Sequence, residues 1–144
     1  MLDDAMLVRR TIALAHRSVV QGGRPFSCVV ARDGVVVAES SPQTEAELHA
    51  EVQAVHAARA RLGRSKLSGC QIYAIAQPCT PCLTLCHEAR PDVVVYLALR
   101  EEYDPYYPCE IPQKDFTGRL PQTYLQEPDA VDVCRLWAAN RHHP

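Results

Sequence analysis

The chain has 144 residues, 47% of them hydrophobic, and a net charge of -2 from 15 basic and 17 acidic side chains. This length suits one domain with a full core, the composition excludes a disordered chain, and the charge gives no broad attraction for nucleic acid or anionic membrane. The cysteine count is seven, an odd number that argues against an evenly paired secreted scaffold and for thiols in a reducing cytoplasm. The acidic start Met1-Leu2-Asp3-Asp4 is followed by no long apolar run, so neither a signal segment nor a membrane span is expected.

In chain order, residues 4 to 20 read as a first helix, with Ala5, Leu7, Val8, Ile12, Ala15, Val19 and Val20 at helical spacing. Asp3 and Asp4 suit its N-terminal cap and dipole, and Gly22-Gly23 ends it. Residues 26–32 and 35–40 read as strands, joined through Asp33-Gly34, a two-residue hairpin signal. A polar loop over 41–45 leads to a second helix over 47–62, with Leu48, Val52, Val55 and Ala58 as its apolar face and Gly63 as its stop. Residues 70–76 predict a third strand. Residues 80–89 predict a third helix with Pro81 at an early position, where a missing N–H costs little. Residues 93–99 are apolar almost throughout and predict a central, buried strand. Residues 101–128, rich in proline and tyrosine and without a clear period, read as an irregular wrap. A final helix over 129–140 follows, with Asp129 as cap and Val131, Val133, Cys134, Leu136 and Trp137 as apolar residues. Alternating strands and helices at this spacing predict an α/β layer structure with a partly parallel sheet.

Two short segments carry the chemistry. His49-Ala50-Glu51 opens the second helix, and Pro78-Cys79-Thr80-Pro81-Cys82 opens the third. His49, Cys79 and Cys82 offer zinc an imidazole and two thiolates. Structural zinc sites normally close with four protein ligands, whereas catalytic sites keep three and leave the fourth position to water. A helix start lowers the pKa of a thiol and favours the ligating thiolate. Glu51 then remains as a carboxylate free to move a proton. The plainer readings are unrelated thiols, a closed structural site with Cys86 or His87 as fourth ligand, and a solvated Glu51. The joint pattern, in this order, is more specific than any of them. Cys86 is expected in the core, and Cys28, Cys70, Cys109 and Cys134 in the core or at the surface. Cys109 is the thiol least firmly set aside. His56 is expected as a satisfied structural histidine, and His142 and His143 as a frayed tail.

The H-x-E and P-C-x-x-C pair resembles the signature of the zinc-dependent cytidine deaminase-like superfamily. Arg24-Pro25-Phe26, Arg32-Asp33-Gly34 and Leu67-Ser68-Gly69-Cys70 resemble its branch containing guanine deaminases, yeast-type cytosine deaminases and tRNA adenosine deaminases. The resemblance covers most of residues 5–100. It implies a three-layer α/β/α sandwich with a central mixed five-stranded sheet, formed by one deaminase domain over 1–144, and a homodimer. It also implies one zinc ion per chain with a bound catalytic water, and a backbone N–H near Cys79 that contacts substrate. In that chemistry Glu51 takes a proton from the water, gives it to the ring nitrogen beside the attacked carbon, and protonates the departing amine.

The chain departs from the branch in two places. A Gly-His-Asn at the end of the second strand, whose Asn binds substrate, is replaced by Glu39-Ser40-Ser41, and the loop to His49 is about three residues short. Ser41 is the nearest substitute for the missing amide. A Gly-Ala pair after Pro-Phe is replaced by Ser27-Cys28, larger side chains expected to narrow the pocket. The expected substrate contacts are therefore Phe26, Ser27, Cys28, Ser41, Ala50, Tyr103 and Tyr107. Tyr106 and Phe116 are further stackers, and Asp104 and Asp115 are readers of amino or ring N–H groups. The family's guanine deaminases close the pocket with a C-terminal segment, sometimes exchanged between subunits, and residues 101–144 are expected to do the same. The function expected is hydrolytic deamination of a small amino-heterocycle, guanine by preference. The alternatives are a cytosine or nucleoside deaminase, and a zinc-stabilised binding module without turnover. Neither a membrane nor a nucleic acid partner is expected.

Overall fold

The N-terminal helix α1 runs from Asp4 to Val20 because its start is capped and its inner face is apolar. The Asp3 carboxylate accepts from the Met6 N–H at 2.8 Å, and Leu7, Val8, Leu14, Ala15 and Val19 are buried. Val20, expected on that face, is 65% exposed. The computed structural model describes residues 2–44, 47–108, 116 and 118–141. After α1 come β1 (Cys28–Arg32), β2 (Val35–Ser40), α2 (Ala50–Leu62), β3 (Cys70–Ala74), α3 (Thr80–Ala89), β4 (Val93–Tyr96), α4 (Arg100–Tyr103), β5 (Gln122–Tyr124) and α5 (Pro128–Arg141). Asp33 and Gly34 both take positive φ, 52° and 74°, as the turn joining β1 to β2 requires.

The strands form one mixed five-stranded sheet in the order β2-β1-β3-β4-β5. β1 is antiparallel to β2 and β3, while β3, β4 and β5 are parallel. Side chains alternate between two buried faces. Val29, Ala31 and Tyr73 pack with Leu7, Val8 and Leu14 of α1 and with Ala130, Val131, Val133 and Cys134 of α5. Cys28, Val30, Cys70 and Ile72 pack on the other face with Ala54, Val55 and Ala58 of α2 and Leu83, Cys86 and Ala89 of α3. The three expected layers are thus present.

Several boundaries move. The sequence expectation started the second helix at residue 47, but α2 starts at Ala50, so Leu48 lies outside it and is 59% exposed instead of forming its apolar face. His56 is exposed on α2. β4 is interior in strand order, yet only Val94 of its four residues is fully buried. The apolar runs that made β3 and β4 look longer continue as buried non-strand chain: Ile75-Ala76 and Leu97-Ala98. The 101–128 stretch, expected to be irregular, holds most of α4 and all of β5. Glu102 organises it: its carboxylate accepts from the Leu99 N–H at 2.8 Å and from the Tyr124 hydroxyl at 2.6 Å, and the Tyr96 and Tyr124 rings stack at 5.7 Å. No helix among the described residues is long and apolar enough to cross a membrane.

Candidate active site

Two helix starts meet at the carboxyl end of β3. His49 is the N-cap of α2 and Cys79 the N-cap of α3, both in extended backbone conformations, and neither side chain caps its helix. Both are therefore free for another partner. Cys82 sits one turn into α3. His49 Nδ1 lies 3.3 Å from Cys82 Sγ and 3.5 Å from Cys79 Sγ, and the two sulfurs are 3.2 Å apart. These three ligand atoms lie within 4.8 Å of one another. One imidazole nitrogen and two thiol sulfurs, so gathered at two helix N-termini, fit zinc, which prefers this donor set in four-coordinate sites. Cys86 does not join this set and is fully buried in the core between sheet and helices. His87, the other candidate, packs its ring against Phe116 at 5.9 Å.

The electrostatics are those of a site that concentrates negative charge. The hydrogen bond between the two thiols lowers the pKa of Cys79, with help from His49, and raises that of Cys82. The hydrogen bond to Cys79 raises the pKa of His49. Burial raises that of the Glu51 carboxyl. In metal-stripped protein, iodoacetamide at mildly alkaline pH is expected to alkylate Cys79 first among the described cysteines. Burial pushes Cys86 and Cys134 up to about 12, so both should stay unmodified until the chain unfolds. Peptide mass spectrometry reads this, and early label on Cys86 would contradict it.

His49, Glu51 and Cys79 open on a cavity of about 350 Å³. Its far wall is aromatic. Phe26 meets Tyr107 edge-on at 4.7 Å and Tyr103 at 6.0 Å, and Tyr107 packs on Trp137 of α5 at 4.5 Å. Arg24 ties this wall together, its Nε donating to the Tyr107 hydroxyl at 2.9 Å and its guanidinium lying 5.5 Å from the Phe26 ring centre. The C-terminal helix thus closes the cavity from its own chain, packed on α1.

Of the substrate contacts expected from sequence, Phe26, Ala50, Tyr103 and Tyr107 line this cavity. Ser27 does not: it is fully buried and its hydroxyl donates to the Thr11 carbonyl at 2.6 Å. Cys28 points into the core on the α2 side of the sheet. These two side chains therefore do not narrow the pocket. Ser41 is not in the lining either; its neighbour Pro42 is. Tyr106 accepts from Arg135 on α5 at 2.8 Å, Phe116 packs on His87, and Asp104 is exposed. Asp115, Cys109, His142 and His143 lie outside the described residues. Sequence reasoning assigned no site role to Arg24, Pro42, Gln77, Arg100 or Trp137, all of which line the cavity. Gln77, next to Pro78-Cys79, and Trp137, the chain's one tryptophan, were the two that carried a usable signal.

The family model described as the cytidine and deoxycytidylate deaminase zinc-binding region matches residues 1–98. Guanine deaminase of Bacillus subtilis (strain 168) is 35% identical over 102 residues, which cover 67% of this chain and 65% of that protein. The tRNA-specific adenosine deaminase of Aquifex aeolicus is 28% identical over 94 residues, covering 62% of each. The chain thus spans slightly less than two thirds of the length of these curated relatives. Among solved structures, guanine deaminase from Nitrosomonas europaea superposes with a TM-score of 0.86 over 96% of this chain and 86% of that one, at 18% identity. Guanine deaminase from Bacillus subtilis gives 0.67 over 99% and 98%, at 25% identity.

Proposed function

The chain belongs to the cytidine and deoxycytidylate deaminase zinc-binding family, and we propose that it is a hydrolytic deaminase of an amino-substituted ring, with guanine as the preferred substrate. The observation that carries this reading is the placement of Glu51. It is a buried carboxyl two residues from the ligand His49, outside the ligand set, and it faces the same cavity.

His49, Cys79 and Cys82 would hold the ion. When bound, zinc supplies the Lewis acidity that lowers the pKa of a coordinated water from about 15.7 toward about 7. Glu51 takes up the proton given off as water adds to the amino-bearing carbon and passes it to the adjoining ring nitrogen. It then protonates the departing amine. Water and the ring amine are consumed, and a ring carbonyl and ammonia are produced. A carboxyl with raised proton affinity suits a group that must both accept and return a proton near neutral pH. Phe26, Tyr107 and Trp137 give the ring an apolar face and exclude bulk water.

The purine preference is supported by the 35% identity to a guanine deaminase and by a cavity large enough for a bicyclic ring. The net charge of -2 does not favour a tRNA substrate. The same reading makes residues 1–144 one deaminase domain, working as a homodimer in a reducing cytoplasm. Among the described residues the six cysteines are all free thiols, as that compartment would leave them.

One zinc-loaded sample tests the reading. Light scattering should give twice the chain mass of 16.0 kDa. Ammonia release should follow from guanine before cytosine, adenine, their nucleosides, amino-pterins or amino-triazines. A zinc-loaded protein that releases ammonia from none of them is not the deaminase proposed.

A further inference from the structure

The proton chemistry does not use Gln77, a polar residue of the cavity wall. It lies between β3 and Cys79, two residues before that ligand, and lines the cavity. Its backbone is fully engaged: the N–H donates to the Ala98 carbonyl at 2.8 Å, and the carbonyl accepts from the Tyr103 hydroxyl at 3.2 Å. Its side-chain oxygen accepts from the Arg100 backbone N–H at 3.0 Å. A backbone N–H can only donate, so this bond decides which end of the amide is oxygen and which is nitrogen. Flipping the amide would set two donors against each other. The group that Gln77 offers to a ligand is therefore Nε2, with two hydrogens.

A second donor stands in the same cavity. The Tyr107 hydroxyl oxygen accepts from Arg24 Nε at 2.9 Å, which leaves its own hydrogen for another acceptor. Among the described residues lining the cavity, Glu51 is the one carboxylate, and its role is at the metal end. The wall thus favours ring acceptors and has little to receive a second amino group.

We infer that Gln77 is a specificity-determining residue: its Nε2 hydrogen-bonds a ring carbonyl of the substrate, and so selects an oxo-substituted amino ring over the analogue with a further amino group in that place. This rests on the deaminase reading of the cavity. It also supplies an amide contact that Ser41 does not provide. A site built around a hydrogen bond discriminates strongly, because the wrong partner leaves buried polar groups unmatched.

The test is a binding measurement that needs no turnover. Zinc-loaded protein carrying Glu51→Gln is titrated with guanine and with 2,6-diaminopurine, which differ by a carbonyl against an amino group at one ring carbon and by the proton on the adjoining ring nitrogen. Guanine should bind about tenfold more tightly. Adding Gln77→Glu keeps an oxygen for the Arg100 N–H but replaces the donor by an acceptor, and 2,6-diaminopurine should then bind more tightly. Gln77→Met, which removes the donor alone, should bring the two affinities together. Equal affinities before Gln77 is changed, or a preference that both Gln77 variants leave untouched, would overturn this inference and leave the deaminase reading standing. Binding of neither ring would overturn both.

Discussion

Glu51→Ala is expected to keep one zinc per chain and to lower kcat for ammonia release by about 10²- to 10⁴-fold, the usual contribution of a positioned general acid–base group. The carboxyl lies in the first turn of α2, where the chain direction is set by His49 as N-cap. It is buried, faces the cavity and stands outside the set of three ligand atoms. Its removal should therefore cost proton transfer and leave metal retention unchanged. Atomic emission for zinc and a coupled assay for ammonia read the two effects separately. Loss of zinc along with activity would make Glu51 a ligand. Full activity would mean that another group carries the proton.

Truncation after Glu127, which deletes residues 128–144, is expected to give a chain that does not fold. α5 buries Ala130, Val131, Val133 and Cys134 against Leu7, Val8 and Leu14 of α1. Burying a valine is worth about 1.5–3 kcal/mol. The helix as a whole therefore contributes on the order of 5 kcal/mol, comparable with the 5–15 kcal/mol that holds a typical domain together. Trp137→Ala is the milder companion. It removes one wall of the cavity, where Trp137 packs on Tyr107, and should raise KM while leaving a cooperative thermal transition. Circular dichroism on heating distinguishes the two variants. A truncated chain with the parent's transition would show that α5 is not part of the core.

Much of the fold is local and could be read from residues in sequence. The cap at Asp3, the Asp33-Gly34 turn and the stop at Gly63 each depend on neighbours a few positions away. The start of α2 was misjudged for a physical reason. Glu47 and Leu48 are good helix formers, but His49 must take an extended conformation to point Nδ1 at both sulfurs, so the helix begins after it. β5 was missed because it is three residues long and its pairing partners, Val94 to Tyr96, are fixed only by tertiary structure.

The metal end of the site was legible because its spacing is a chemical requirement: three ligands, two helix starts, one carboxylate. The aromatic end of the cavity was not. Arg24 and Trp137 are far apart in sequence and meet at one cavity only because α5 closes over it from α1. Ser27 and Cys28 follow Phe26 directly, yet Ser27 turns to the Thr11 carbonyl of α1 and Cys28 into the core on the α2 side, so neither lines the cavity. Proximity in sequence suggested Ser41 as a replacement amide. The fold instead sets a true amide, Gln77, beside the zinc ligand Cys79.

The most direct test of the central claim is product analysis from zinc-loaded protein given guanine. Guanine should yield xanthine and ammonia in a one-to-one ratio, both lost when the metal is removed and both restored by zinc. Zinc-loaded protein that binds guanine and returns it unchanged would contradict the claim that His49, Cys79, Cys82 and Glu51 form a deaminase centre.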